Sequence, residues 1–184
     1  MTTYPIHTVE TAPEGSRQAL ERLRGALGLV PNLAATMAGA PSLIGTFVAA
    51  FGQFGGAGFT DGERQVLLLS NAVANRCAWA VAFHSTAALA EGVPSADVEA
   101  IRRGDVPAGE RFSALSTTTR RFIDRRGHLD EDDVKTFTAA GFDDVQLLEV
   151  VTGLAISTMA NYVGNLAQPP LDPPFQAQAW SGGY

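Results

Sequence analysis

Cys77 and His84 are the two side chains whose types and spacing point most directly to chemistry. They sit seven positions apart in the segment Asn75-Arg76-Cys77-Ala78-Trp79-Ala80-Val81-Ala82-Phe83-His84. A cysteine at a helix start has its thiolate stabilised by the helix dipole and by free backbone N–H groups, which makes Cys77 a candidate nucleophile. The alternative is a buried cysteine that packs as a small hydrophobe. Seven residues return to nearly the same helix face, but about 10 Å further along the axis. A straight helix therefore keeps His84 from bonding Cys77 directly. The position that faces His84 from the preceding turn is Ala80. His84 is then either an acid/base group or a core histidine bonded to a carbonyl or water. Two such ligands do not make a tetrahedral metal set, and no acidic or histidine cluster adjoins them, so no metal and no cofactor are expected. Ser70, Ser85, Tyr162 and Asn165 are further polar candidates that read more readily as structural. His7 and His128 fall in segments expected to be exposed and receive no role.

Helices must position these groups. Leu20, Leu23 and Leu27 recur at helical spacing over 14–27, with Gly28 as a C-cap. Pro31 fits the first turn of a short helix through Met37, and Pro41 opens another to about Phe54. Thr60-Asp61-Gly62-Glu63 has the capping-box pattern before an apolar helix that reaches about Asn75. A second helix covers Cys77 to Glu91 and stops at Gly92. Ser95 is placed to cap a helix over 96–103. Further helices are expected at 109–126, 131–140 and 143–166, with Asp130 and Asp143 as caps and Gly127 and Gly141 as stops. The acidic run Asp130 to Asp133 reads as a solvated helix start, and the pairs Arg120-Arg121 and Arg125-Arg126 as a solvated face. No run shows strand alternation. Pro169, Pro170, Pro173 and Pro174 make the tail an extended arm. The expectation is one all-α domain over 1–184, with its core at about 30–168 and extended arms at both ends.

Composition narrows the function classes. Net charge is -6, with no basic stripe, which argues against nucleic-acid binding. No window approaches about 18 consecutive apolar residues, so no membrane span is expected. The N-terminus lacks the basic and apolar regions of a secretory signal. One cysteine cannot close an internal disulfide, and a cytoplasmic setting is the default reading. Charged residues are only 17% of the chain, which suggests that part of the surface is covered in a homo-oligomer.

The segment from Phe59 to Ala90 resembles the alkylhydroperoxidase D-like and carboxymuconolactone decarboxylase family, and its peroxidase-related members most. Their pattern is a Glu-Arg pair, an apolar helix, Asn-Arg-Cys-x-Tyr-Cys, and a histidine four residues after the second cysteine. Here the residues are Glu63-Arg64, the apolar helix, Asn75-Arg76-Cys77-Ala78-Trp79-Ala80 and His84. The likeness extends to Gly92-Val93-Pro94-Ser95, Gly141-Phe142 and Asn161-Tyr162-Val163-Gly164-Asn165. It implies an orthogonal helical bundle of the alkylhydroperoxidase D type.

The resemblance also implies a departure in chemistry. In the family the second cysteine attacks the peroxide and the first resolves it. Cys77 matches the resolving position, while Ala80 occupies the attacking one. The family's proton-relay glutamate falls at Gln65, which cannot act as a general base, and Glu63 survives two residues earlier. In the decarboxylase branch a polar or acidic residue stands near position 80, which Ala80 does not match either. Three functions remain open. One is a thiol-dependent peroxidase-type oxidoreductase with an incomplete Cys-x-x-Cys site, using Cys77, His84, Glu63 and Gln65 with an external thiol reductant or Cys77 of another copy. The second is a non-redox lyase, decarboxylase or isomerase acting on a small organic acid through His84. The third is a ligand-binding protein that lost catalysis.

Overall fold

Three capping boxes set the frame of the molecule. Thr60 Oγ1 accepts from the Glu63 N–H at 3.2 Å while Glu63 Oε2 accepts from the Thr60 N–H at 2.9 Å. Asp130 with Asp133, and Asp143 with Gln146, repeat the arrangement. Each satisfies two N–H groups that a helix start leaves unpaired. In the computed structural model, which describes residues 4–182, nine α-helices result and no strand occurs among those residues. They are α1 (Glu14–Leu27), α2 (Asn32–Met37), α3 (Pro41–Phe54), α4 (Asp61–Ala74), α5 (Ala78–Ala90), α6 (Ser95–Arg102), α7 (Glu110–Asp124), α8 (Glu131–Ala139) and α9 (Asp144–Ala167). The all-α expectation holds.

The ends differ from expectation in instructive places. Ser95 is the first helical residue of α6 rather than its cap; Pro94 precedes it and no side chain caps that helix. Asp133 is buried instead of solvated, because Arg121 and Arg125 both pair with it and tie α7 to α8. The proline arm is not extended throughout. Pro173–Gln178 closes a 3-10 turn that seats Phe175 in the core.

α4 is the central helix. Val66 to Ala72 is buried without interruption, the pattern of a helix surrounded on all sides. It packs against α5, α6, α7 and α9. The α4–α5 reversal runs through Arg76, held at φ 52, and Cys77 becomes the N-cap of α5. A second, smaller core unites Leu20 and Leu23 of α1 with Met37 and Ile44.

α9 is long and apolar enough to cross a membrane by length and composition, yet it packs into the bundle against α2, α3, α4 and α5. Two glycines allow that approach. A Cβ at Gly153 would lie 2.6 Å from Leu67 Cδ2, and one at Gly164 would lie 2.6 Å from Cys77 Sγ. The outer face of α9 carries Val145, Leu148, Val151, Tyr162 and Leu166, all exposed.

Candidate functional site

His84 and Gln65 meet although they stand on different helices. The His84 Nδ1 lies 2.9 Å from Gln65 Oε1. An amide oxygen only accepts, so Nδ1 carries the proton and donates it. His84 is buried, and burial pushes its pKa down to about 3, so the imidazole is neutral at physiological pH. With Nδ1 protonated, Nε2 holds a lone pair. Phe83 lies edge-on to the imidazole, with centroids 4.9 Å apart.

His84 borders a cavity of about 50 Å³ built from α1, α2, α3, α5 and α9, with Leu68 contributed by α4. Its walls are apolar: Leu23, Met37, Phe47, Phe51, Leu68 and Ile156 are representative, and Ala80 lies beside His84 in the lining. Leu27, Phe47 and Phe51 are half-buried at its border. Three lining side chains carry polar groups: His84, Ser157 and Trp79. The indole N–H of Trp79 is committed elsewhere, donating at 3.1 Å to Asp172 on the C-terminal arm. The same carboxylate accepts from the Asn32 N–H at the start of α2. Phe175 then lies edge-on against both Trp79 and Phe83. The arm thus fixes the aromatic wall from behind.

Cys77 is placed elsewhere. It is buried, it does not line the cavity, and its Sγ packs against the backbone of α9 at Gly164. Burial raises the thiol pKa and outweighs the backbone N–H groups of Ala80 and Trp79, which lower it. The helix-start effect expected for a thiolate is present but is the smaller influence, and the geometry is that of a small packed hydrophobe.

Glu63 is likewise apart from the cavity. Besides its capping box, its Oε1 accepts from Arg111 Nε at 2.6 Å. Burial alone would raise its pKa, but the Arg111 and Thr60 bonds prevail and the carboxyl is held below the usual range. Arg111 continues to the carbonyls of Ala140 and Gly141 and lies over the Phe142 ring. Glu63 therefore joins α4 to α7 and the α8–α9 turn. Of the four residues Cys77, His84, Glu63 and Gln65, only His84 and Gln65 come together.

The other polar candidates are also accounted for. Ser70 donates to the Val66 carbonyl and bonds Ser116, and Ser85 accepts from Arg102. Asn165 donates to the Asn75 carbonyl at 2.8 Å, and Tyr162 is exposed. Sequence reasoning passed over Ser157, which no motif marks. Among the described residues, no three His, Cys, Asp or Glu side chains gather as a metal-ligand set.

Comparison with known proteins agrees with this architecture. Over 94% of the chain and 93% of its counterpart, it superposes on the alkylhydroperoxidase AhpD core, peroxidase-related protein from Ralstonia eutropha JMP134, at TM-score 0.81 and 21% identity. A peroxidase-related protein from Silicibacter sp. TM1040 gives TM-score 0.76 at 16% identity, covering 96% and 94% of the two chains. The debrominase Bmp8, as a cysteine-to-alanine variant in complex with 2,3,4-tribromopyrrole, gives TM-score 0.77 at 15% identity, covering 97% and 95%. No curated protein matches the chain. The sequence model of the carboxymuconolactone decarboxylase family matches residues 45–119, the stretch that holds α4, α5 and the His84–Gln65 pair, and the chain as a whole has the AhpD-like fold.

Proposed function

We propose that the cavity beside His84 binds a small, uncharged, largely apolar organic molecule without thiol redox chemistry. The observation that supports this most is the lining itself. It is apolar apart from a few polar groups, one of them a neutral imidazole, and Ala80 puts a methyl where a thiol would be needed. Taking a charged ligand into such walls would cost its hydration without an opposite charge to offset it. The Bmp8 structure supports the reading by analogy, since that neighbour holds a small halogenated ring.

The His84–Gln65 pair favours a second reading, a non-redox enzyme in which His84 moves a proton. An imidazole with its pKa near 3 is a weak base at neutral pH, so hydrogen-bond acceptance is the easier role. A thiol-dependent peroxidase would need Cys77 to reach the substrate. Its burial, its raised pKa and its absence from the cavity lining weigh against that. The test pairs two assays. Uncharged aromatic compounds should raise the melting temperature while their carboxylate analogues do not. Hydroperoxide consumption with a dithiol should be no faster than background. Turnover that disappears in Cys77→Ser would overturn the proposal.

A further inference from the structure

We infer that the cavity selects ligands bearing a neutral hydroxyl on an apolar body, the chemistry of a phenol, with that hydroxyl bonded between His84 and Ser157. The inference rests on the binding reading above and adds the recognition element to it. Gln65 Oε1 holds the imidazole proton on Nδ1 and leaves Nε2 as an acceptor, with no protein partner among the described residues. Ser157 supplies the complementary half. It is buried, and its Oγ accepts from Asn161 Nδ2 at 3.1 Å. Some buried helical hydroxyls here, such as Ser70 and Thr119, give their proton to the carbonyl four residues back. Ser157 makes no such bond, so its proton is unspent. Its oxygen is held by Asn161, which in turn is anchored to Asn71 of α4 at 2.9 Å.

The cavity thus offers one acceptor and one donor in otherwise apolar walls. A hydroxyl is the smallest uncharged group that satisfies both, donating to Nε2 and accepting from Ser157. A ligand with neither leaves two buried polar groups unpaired, which is the costly case. Gln65 acts here as a positioning residue, because it works through the tautomer of His84. The aromatic side chains Phe47, Phe51 and Phe83 favour a flat ring. A ring is larger than the cavity of about 50 Å³, so its entry requires the half-buried Phe47 and Phe51 to yield.

The probes are phenol and fluorobenzene, which have nearly the same shape and differ in the hydroxyl. Binding is followed by NMR titration of the full chain, and ring-nitrogen spectra of His84 report its tautomer. The expected result is phenol binding about tenfold or more tighter than fluorobenzene, with the His84 proton on Nδ1. Ser157→Ala should weaken phenol about fivefold and leave fluorobenzene unchanged. Gln65→Leu should shrink the preference between the two ligands without abolishing fluorobenzene binding, a split that a merely structural residue would not give. Equal affinity for the two probes, or a proton on Nε2, overturns the inference and leaves the binding reading standing. If neither probe binds, both fall.

Discussion

Lowering the pH from 7 to 4 should cost the wild-type protein about 3 kcal/mol more stability than it costs a His84→Gln variant. The folded imidazole takes up its proton near pH 3, whereas an unfolded one does so near 6.5. Between those values the unfolded chain binds more protons than the folded one. Stability from this group is therefore complete above about pH 6.5 and drains away as the pH falls toward 3. A full shift of that size corresponds to roughly 5 kcal/mol, of which about 3 are lost by pH 4. Carboxylates such as Glu63 and Asp130, also held below their usual range, lose stability in acid too. They are common to both proteins and cancel in the comparison. The assay is urea denaturation at the two pH values, with midpoint and slope analysed separately. Equal losses for wild type and variant would refute a neutral, buried His84.

Other perturbations probe the same account. Gln65→Glu sets a carboxylate against the imidazole, should raise the His84 pKa, and should reduce the extra acid loss in the same urea experiment. Gly164→Ala drives a methyl against Cys77 Sγ and should cost about 1–3 kcal/mol; adding Cys77→Ala should recover part of it, and strict additivity would sink the packing role assigned to Cys77. Asp172→Ala strands the Trp79 indole and the Asn32 N–H, and should cost about 1–3 kcal/mol by urea melt while making the arm more sensitive to protease. The outer face of α9 exposes Leu148, Val151, Tyr162 and Leu166, and that stripe is the expected contact between copies. Leu148→Glu should lower the mass read by light scattering, and a monomeric wild type would contradict that expectation.

The helices were legible because their ends carry local chemistry. Thr60, Asp130 and Asp143 cap through their own side chains, and Gly28, Gly127 and Gly141 take positive φ where helices stop. Local signals failed where tertiary contacts decide. Asp133 is buried only because two arginines from α7 reach it, and Phe175 turns inward only because Trp79 and Phe83 await it. The site was harder to read for the same reason. Gln65 and His84 lie nineteen residues apart on two helices, so spacing alone could not pair them; the family resemblance did single both out. Cys77 looked reactive from its place at a helix start, but its surroundings are set by Gly164, far along the chain. Ser157 stands in an apolar stretch of α9 with no motif around it and becomes notable only through its place in the cavity wall.

Occupation of the cavity beside His84 is tested most directly by titrating the methyl-labelled protein with phenol, followed by NMR. Saturable shifts are expected at Leu23, Met37, Leu68 and Ile156, which line the cavity, and none at Leu148 or Leu166 on the outer face of α9. Shifts confined to the outer face, or no saturable shift at the cavity methyls, would contradict it.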